Sequence, residues 1–368
     1  MTLTVALSHR MGAFALDVTF EAPAGVTVLF GRSGSGKTSV VNAVAGLLRP
    51  DRGRIAVQGR ALLDTERGIA LPPHRRRLGY VFQDARLFPH LSVRQNLSYG
   101  RRFAPKDASL PEMGGIVELL GLGALLDRRP GALSGGEKAR VALGRALLSG
   151  PEMLLADEPL ASLDEARKAE VLPYFEHLRD AGGVPILYVS HAASEVARLA
   201  TTVVALEGGR VVAQGPAAAV LSDPGVTPLG AREAGALLSA NVLRHHADGL
   251  SELAAGAARL WVPRVALPEG GAVRLRVPAH EVILARLEPA GLSALNVLAG
   301  TVAELREGAG PGVLVALDTE AGRVLSRITG RSAKALALAP GVAAYAVIKS
   351  VAVAPEDVGG PASEGRTR

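Results

Sequence analysis

Hydrophobic residues in the first 230 positions occur in short uninterrupted runs, and segments with helical spacing separate these runs. GVTVLF at 25–30 is followed by SVVNAVAGLL at 39–48, in which apolar residues recur at intervals of three and four. Further runs are LGYVFQ at 78–83, MLLAD at 153–157, PILYVSH at 185–191 and TVVALEGGRVVAQG at 202–215. Strands that alternate with helices predict an α/β layer with a mostly parallel sheet.

The pattern changes twice along the chain, and these changes predict the domain boundaries. Between the runs LGYVFQ at 78–83 and MLLAD at 153–157 the apolar residues have helical spacing, which predicts a helical insertion subdomain. Near the C-terminus, short apolar runs such as RLWVP, VRLRVP and GVLVALD are separated by Gly and Pro, which is typical of strands and turns. We expect an α/β domain at 1–232 with its helical subdomain at about 85–150, a β-rich connecting segment at 233–290, a small all-β, OB-like domain at 291–354 and a disordered tail at 355–368.

Composition excludes several classes of protein. The 368 residues include no cysteine, which excludes disulfides and thiolate metal sites. No apolar run reaches the roughly 18 residues that span a bilayer, and the start, MTLTVALSHR, lacks the features of a signal peptide. The net charge of +6 comes from scattered basic residues without interleaved aromatic residues, so we expect no nucleic-acid partner.

A glycine-rich loop at 31–38, GRSGSGKT, fits the phosphate-binding pattern G-x-x-x-x-G-K-[ST] between a predicted strand and a predicted helix. Glycines let successive backbone N–H groups surround a phosphate, and the helix start adds partial positive charge. Lys37 can reach the β- and γ-phosphates of ATP, and the Thr38 hydroxyl can bind Mg²⁺. The alternative is an ordinary Gly/Ser-rich turn. The predicted phosphate-binding residues are Gly31, Arg32, Ser33, Gly34, Ser35, Gly36, Lys37, Thr38 and Ser39.

Two adjacent carboxylates follow the strand in PEMLLADEP at 151–159. Asp157 is suited to hold Mg²⁺ through water, as the second acidic element of this class of nucleotide site does. Glu158 can polarise a water that attacks the γ-phosphate. The alternative is an acidic cluster at a helix start, because Pro159 follows, but the phosphate-binding loop upstream favours the catalytic interpretation.

A second glycine-led helix start lies in the predicted insertion, in LSGGEKARVALGRALL at 133–148. Ser134 is a good N-cap, Gly135 and Gly136 offer bare N–H groups, and Glu137 begins the helical run, so an anion site is expected. One chain cannot easily bring both loops to one phosphate, whereas two chains arranged head to tail can share an ATP. The alternative is an ordinary capped helix.

These motifs, with Gln83, SLD at 162–164 and YVSH at 188–191, have the order and spacing found in the ATP-binding-cassette ATPases, which residues 1–230 resemble. The resemblance implies that Ser134, Gly135, Gly136 and Glu137 complete the ATP site of a second identical subunit. It also implies that Gln83, Glu158 and His191 are catalytic and that Mg²⁺ is bound by Thr38, Gln83 and Asp157. Asp164 would communicate between the two sites of the homodimer, and Phe14 is the candidate for stacking on adenine.

The resemblance also implies a membrane partner. The family commonly has Gln-Arg where this chain has Ala139-Arg, a departure from which we expect little effect. The segment QDARLFPHLSVRQNLSYG at 83–100 can form a groove for a short helix of an integral permease subunit, or can pack within the insertion. The chain would then lie peripherally at the cytoplasmic face of the inner membrane and act indirectly with a periplasmic or extracellular solute-binding protein.

The C-terminal third resembles the small β domain of molybdate-binding proteins, and the chain as a whole resembles the molybdate-importer ATPases, least so at 233–290. SALNVLAGTVAEL, VLSRITGRS and AYAVIKSVAV carry this resemblance. It implies that a tetrahedral oxyanion binds Ser293, Ala294, Thr329, Ser332 and Lys349. The usual Ser-Ala-Arg-Asn pattern is broken by Leu295, which removes a charge-assisted hydrogen bond of about 1.5–3 kcal/mol.

The leading hypothesis is an ATP-hydrolysing subunit that powers molybdate uptake. An importer for sulfate, iron, polyamine or sugar is a close alternative, because relatives for those solutes also carry C-terminal β domains. A cytosolic oxyanion-sensing regulator is an alternative of another class, although such proteins pair this domain with a DNA-binding helix-turn-helix that is not seen here. A soluble cassette protein of translation or DNA repair usually carries two cassettes or a long coiled coil, and this chain shows neither.

Overall fold

The computed structural model describes residues 2–104, 110–226, 230, 233–308 and 310–360. The chain divides into two units, Met1–His191 with Val204–Gln214 and Ala192–Val203 with Gly215–Arg368. This division differs from the expected boundary at 232, because the segment after His191 makes its contacts within the second unit.

The strands of the first unit form one mixed sheet. They are β1 (Leu3–Met11), β2 (Phe14–Ala22), β3 (Val26–Phe30), β4 (Arg52–Val57), β5 (Arg60–Asp64), β6 (Ile69–Ala70), β7 (Leu78–Val81), β8 (Met153–Asp157), β9 (Ile186–Ser190), β10 (Thr202–Glu207) and β11 (Arg210–Pro216). Their order is β6-β5-β4-β1-β2-β11-β10-β3-β9-β8-β7. Strands β3, β9, β8 and β7 are parallel neighbours, and β3, β8 and β9 are buried throughout, as expected for strands covered on both faces.

The helices of this unit follow the expected alternation. They are α1 (Lys37–Ala45), α2 (Val93–Tyr99), α3 (Met113–Leu119), α4 (Gly135–Leu147) and α5 (Glu165–Ala181). Short 3₁₀ helices lie at Pro73–Arg75, Gly100–Phe103, Gly123–Leu125 and Pro130–Ala132. Helices α2, α3 and α4 fall within the predicted insertion, where α4 approaches α2 so closely that a Cβ on Gly144 would lie 2.8 Å from Leu97 Cδ2.

The parallel strands position the functional residues. Because β3, β7, β8 and β9 run in one direction, their carboxyl ends meet at the same edge of the sheet. The glycine-rich loop follows β3, Gln83 follows β7, Glu158 follows β8 and His191 follows β9. The core beneath this edge is formed by apolar residues such as Leu29, Val40 and Leu155.

The second unit contains helices α6 (Ala193–Leu199), α7 (Ala217–Leu221) and α8 (Gly330–Ala335). Its strands are β12 (Gly235–His245), β13 (Leu250–Ala255), β14 (Ala258–Pro263), β15 (Ala272–Pro278), β16 (Val282–Ala285), β17 (Asn296–Glu307), β18 (Gly312–Thr319), β19 (Gly322–Thr329), β20 (Ala343–Ile348) and β21 (Val358–Gly359). In the described residues these strands form two sheets, ordered β14-β13-β12-β15-β21 and β16-β20-β17-β18-β19.

The two sheets share one hydrophobic core, which changes the expected division at 290. Leu238 and Leu275 of one sheet lie in the same buried cluster as Leu298 and Leu317 of the other. Strand β16 lies in the predicted connecting segment but pairs with β20 of the predicted domain at 291–354. The predicted boundary at 290 separates strands of one sheet, because strand pairing is a long-range property that Gly and Pro spacing does not reveal.

The predicted disordered tail is in part ordered. A 3₁₀ helix covers Pro355–Asp357, and β21 pairs with β15 through Val358 opposite Leu275. Asp357 accepts a hydrogen bond of 2.9 Å from Arg276, and both side chains are buried. The tail prediction is therefore corrected at 355–360, where a buried ion pair and strand pairing offset the polar composition; 361–368 lie outside the described residues.

Helix α6 is held within the second unit. Arg274 donates a hydrogen bond of 3.3 Å to the Arg198 carbonyl, and a Cβ on Gly359 would lie 3.0 Å from the Arg198 side chain. Helix α6 follows His191 directly in the chain and was expected in the first domain on chain order alone.

Candidate functional site

The glycine-rich loop between β3 and α1 surrounds a cavity of about 240 Å³. The cavity is lined by Met11, Phe14, Ser33, Gly34, Gly36, Lys37, Thr38, Ser39 and Glu158. Gly36 adopts φ of 100° at the start of α1, a conformation that favours glycine. Gly31 is required at the start of the loop because a Cβ there would collide with the Leu206 carbonyl oxygen.

Lys37 is buried at the base of this loop and provides its positive charge. Its ammonium group donates hydrogen bonds to the carbonyl oxygens of Gly31 at 2.8 Å and Arg32 at 2.9 Å. Burial lowers the pKa of Lys37, and the charges of Glu158 and Asp157 oppose that shift. Ser35 Oγ is buried nearby in the loop without a hydrogen-bond partner among the described residues, which leaves a hydroxyl for an anion. The loop thus combines a buried positive charge with a hydroxyl that can donate, a combination that suits an anion.

A set of oxygen atoms suited to a hard cation lies beside Lys37. The Thr38 hydroxyl donates to Asp157 Oδ1 at 3.1 Å, and the Tyr80 hydroxyl lies 3.2 Å from Asp157 Oδ2. Burial raises the pKa of Asp157, and the hydrogen bonds from Thr38 and Tyr80 oppose the shift. Hard oxygen atoms are the ligands that Mg²⁺ prefers, so Thr38 and Asp157 fit that ion.

Glu158 lies between two groups that carry or can carry positive charge. Its Oε2 is 3.2 Å from His191 Nδ1, and its Oε1 is 3.9 Å from Lys37 Nζ. The side chain lines the phosphate cavity, and the backbone adopts φ of 46°, which is uncommon for a residue with a side chain. Its backbone N–H donates to the Val189 carbonyl at 3.2 Å, which fixes this bend to β9. The carboxylate is thereby aimed at the cavity.

The second glycine-led helix start does not reach the cavity of its own chain. Ser134 caps α4 in a reciprocal arrangement: its Oγ accepts from the Glu137 N–H at 3.2 Å, and its own N–H donates to Glu137 Oε2 at 2.7 Å. The hydrogen bond from Ser134 lowers the pKa of Glu137. Gly135 packs closely on Leu163, where a Cβ would lie 2.8 Å from Cδ2. The residues that line the cavity include neither Ser134 nor Gly136.

Gln83, Asp164 and Phe14 occupy different surroundings. Gln83 is exposed after β7, and Asp164 caps α5 by accepting from the Arg167 N–H at 2.9 Å; neither lines the cavity. Phe14 does line it, at the turn between β1 and β2, and so does Met11, which sequence reasoning missed. The sequence feature that could have indicated Met11 is its position three residues before Phe14, at the same hairpin turn.

The residues predicted to bind an oxyanion are divided between two ends of one sheet. Asn296 of β17 pairs with Ile348 of β20; Ser293 and Ala294 precede Asn296 in the chain, and Lys349 follows Ile348. Thr329 pairs with Gly312, at the other end of β17. Thr329 and Ser332 are joined there by their hydroxyls at 2.8 Å, as the cap of α8. A single chain does not bring the set together.

Asn296 belongs to the same motif but has a structural contact. It is buried, its Oδ1 accepts from the Trp261 N–H at 2.6 Å, and its Nδ2 donates to the Trp261 carbonyl at 2.9 Å. Its amide therefore continues the hydrogen bonding of β14 from the neighbouring sheet. Leu295 beside it is exposed.

The helical insertion presents an aromatic surface, formed by Phe88, Tyr99 and Phe103. The Phe88 and Tyr99 rings are 4.3 Å apart, the Tyr99 and Phe103 rings are 5.4 Å apart, and Phe103 is 72% exposed. Asn96 anchors the segment from within, since its buried amide accepts from the Phe88 N–H and donates to the Phe88 carbonyl. Part of 83–100 thus packs internally and part is exposed.

In the part of the chain that the structure describes, no helix is both long enough and apolar enough to cross a bilayer.

Comparison with known proteins identifies the family. Residues 16–161 match the ABC transporter family, and residues 292–355 match the TOBE domain. The chain is 53% identical over 353 residues to the molybdenum import ATP-binding protein ModC of Mesorhizobium japonicum, which covers 95% of both chains. It is 50% identical to the protein of that name from Paramagnetospirillum magneticum, over 97% of this chain and 99% of the relative.

Solved structures agree with the predicted fold class. MJ1267, an ATP-binding cassette of an ABC transporter, is 27% identical, with a TM-score of 0.52 over 61% of this chain and 96% of its own. The cbiO1 protein of Clostridium perfringens, part of the ABC transporter complex cbiONQ, is 28% identical, with the same TM-score over 61% of this chain and 92% of its own. The α/β P-loop core followed by a small all-β domain is confirmed, as is the resemblance that the motifs indicated. The chain belongs to the ABC transporter family, as an ATP-binding cassette followed by a TOBE domain.

Proposed function

We propose that this chain is the ATP-hydrolysing subunit of an importer that moves molybdate across the cytoplasmic membrane. The observation that carries the proposal is full-length similarity at about half of all positions to molybdenum import ATP-binding proteins, together with an intact phosphate-binding loop and catalytic carboxylate. The chain acts at the cytoplasmic face of the inner membrane as a peripheral subunit.

The residues around the cavity divide the work of hydrolysis. The loop N–H groups and Lys37 bind the phosphates of ATP, and Thr38, Asp157 and Gln83 are the residues that would hold Mg²⁺. The ion would supply positive charge that offsets the negative charge of the phosphates. Glu158 orients and deprotonates the attacking water, while His191, 3.2 Å from that carboxylate, contacts the γ-phosphate.

Two copies of the chain complete each site. The cavity of one chain lacks Ser134, Gly135, Gly136 and Glu137. Gly135 and Gly136 occupy the first two positions of α4, where backbone N–H groups have no partner within the helix and the helix end carries partial positive charge. In a head-to-tail homodimer this helix start covers the ATP of the partner, and Asp164, at the start of α5, links the two sites. Phe14, which lines the cavity, stacks on adenine.

The aromatic surface of the insertion is the surface that receives the permease. Phe88, Tyr99 and Phe103 lie within twenty residues after Gln83 in the chain, and exposed aromatic rings fit the apolar face of a short helix. Arg145 supports them by donating to the carbonyls of Ala85 and Arg86 at 3.0 and 2.8 Å. A solute-binding protein on the outer side of the membrane delivers molybdate to the permease.

Uptake by the assembled complex tests this function. Membrane vesicles that contain the chain and its permease, loaded with ATP and supplied with the solute-binding protein, are expected to accumulate molybdate, and a tenfold excess of sulfate should compete little. The control is the same preparation with the Lys37→Ala chain. Uptake of sulfate, iron, polyamine or sugar in place of molybdate would contradict the proposed substrate while leaving the ATPase assignment in place.

An oxyanion site in the TOBE domain is a further part of the proposal. Because the structure separates Ser293, Ala294 and Lys349 from Thr329 and Ser332, each site takes the first three residues from one copy and the last two from another. Neutral donors and one cation suit a tetrahedral dianion.

Calorimetry should detect molybdate binding to the purified protein, with sulfate binding more weakly. Lys349→Ala should abolish the binding, whereas Lys334→Ala, at an exposed lysine on α8, should not. Leu295→Arg should strengthen it by roughly ten- to hundredfold, because a charge-assisted hydrogen bond contributes about 1.5–3 kcal/mol. If Lys349→Ala bound molybdate as the parent does, this assignment would be wrong.

A further inference from the structure

Tyr80 connects three elements at the proposed magnesium site, and no motif predicted it. It lies in β7, and its hydroxyl is 3.2 Å from Asp157 Oδ2 at the end of β8 and 3.1 Å from Asn42 Oδ1 on α1. Helix α1 also carries Lys37 and Thr38. The hydroxyl therefore joins the strand that leads to Gln83, the strand that leads to Glu158 and the helix that follows the phosphate-binding loop.

The two oxygens of the Asp157 carboxylate have different partners. Thr38 donates to Oδ1 at 3.1 Å, and Tyr80 contacts Oδ2 at 3.2 Å. Hydrogen bonds at both oxygens fix the rotation of the carboxylate plane, which a single bond would leave variable. A carboxylate that ligates a metal is oriented by such partners in many proteins, and their loss typically lowers metal affinity about 10–100-fold.

The phenol has one proton, which decides the direction of the bonds. Asp157 can only accept when it is ionised, so Tyr80 donates to its Oδ2. The side-chain amide of Asn42 can be turned so that Nδ2 faces the phenol oxygen, because its O and N atoms are interchangeable in shape. Asn42 then donates to Tyr80 and Tyr80 donates to Asp157, a chain of two hydrogen bonds that uses the single phenol proton once.

The ring of Tyr80 has a separate contact. The centroids of the Tyr80 and Phe82 rings are 4.0 Å apart. The Arg86 guanidinium lies over the Phe82 ring, 4.3 Å from its centroid. Phe82 immediately precedes Gln83. The ring packing and the hydroxyl contact can thus be separated experimentally, because phenylalanine keeps the first and removes the second.

We propose that Tyr80 is a positioning residue that orients Asp157 for Mg²⁺ through its hydroxyl, with Asn42 orienting Tyr80 in turn. The inference rests on the proposed magnesium site. It assigns Tyr80 no contact with ATP and no role in proton transfer. Its effect is on the affinity of the site for a divalent cation and on hydrolysis only through that affinity.

Tyr80→Phe is the test. With a non-hydrolysable ATP analogue, the Kd for Mn²⁺ measured by electron paramagnetic resonance should rise about tenfold or more, while affinity for the analogue in EDTA stays unchanged. The Mg²⁺ concentration for half-maximal ATPase activity should rise by the same factor, and kcat at saturating Mg²⁺ should be restored. Asn42→Ala should shift the Mn²⁺ Kd in the same direction by a smaller factor.

Two further variants make the result decisive. Tyr174 lies on α5, and its hydroxyl accepts a hydrogen bond of 3.4 Å from Arg140 on α4. Tyr174→Phe removes this hydroxyl and should leave the Mn²⁺ Kd unchanged. Asp157→Asn should raise the Mn²⁺ Kd by a larger factor than Tyr80→Phe does. If Asp157→Asn raised it but Tyr80→Phe left the Mn²⁺ Kd unchanged, the role of Tyr80 would be overturned and the magnesium site would stand. If Asp157→Asn also bound Mn²⁺ normally, the proposed magnesium site itself would be wrong.

Discussion

A Glu158→Gln chain is expected to bind ATP normally and to hydrolyse it about 10²–10⁴-fold more slowly, the usual contribution of a positioned base. Glutamine keeps the size of the side chain and its position 3.2 Å from His191, but it cannot accept a proton from water. Because a negative charge is removed beside the phosphates, affinity for ATP should not fall. Phosphate release measures the rate of hydrolysis, and nucleotide binding on the same preparation measures the affinity for ATP.

The matched control for this prediction is Glu165→Gln. Glu165 is exposed on α5 and pairs with Lys168 at 2.9 Å, away from the residues that line the cavity. An exposed pair of this kind contributes little to stability, so the control should hydrolyse ATP at the parent rate. Turnover by Glu158→Gln at the parent rate would show that another group activates the water.

The features that were predictable from sequence are those encoded within a few neighbouring residues. The glycine-rich loop, the strand before it and the helix after it form one continuous segment, so Lys37 and Thr38 could be assigned from their local pattern alone. The acidic pair after β8 is similarly local. Each also depends on positions that accept few residue types. Position 36, for example, has φ of 100°, which favours glycine.

Contacts between distant segments could not be predicted in this way. Tyr80, Asn42 and Asp157 come from three elements separated by more than thirty residues, and nothing in LGYVFQ indicates which way the tyrosine points. The pairing of β16 with β20 and the ordered strand β21 depend on partners elsewhere in the second unit. Thr329 and Lys349 were grouped by resemblance alone, and the strand register then separated them.

The helix start at Ser134 offers a test of the head-to-tail dimer. Aspartate caps helices about as well as serine, so Ser134→Asp should preserve α4 while placing a negative charge against the partner's phosphates. A lost hydrogen bond to a charged group costs about 1.5–3 kcal/mol, so ATPase activity should fall roughly a hundredfold or more once repulsion is added. Ser134→Asn, which gives a neutral cap, should lower ATPase activity much less. Nucleotide binding by isolated protomers should not change, because Ser134 does not line the cavity of its own chain.

Mixing two inactive chains tests whether Ser134 acts at the ATP site of the partner subunit or only within its own chain. In a dimer of a Ser134→Asp chain with a Lys37→Ala chain, one composite site carries both substitutions and the other carries neither. If the sites act independently, random pairing should restore about a quarter of parent activity, because half of the dimers are mixed and each has one intact site. If mixed dimers form, as mass measurement would show, but remain inactive, either the two sites must act together or Ser134 acts within its own chain. Photo-crosslinking of azido-ATP distinguishes these cases: label transferred from the Lys37-intact chain to the partner's helix α4 supports the shared site, and its absence contradicts it.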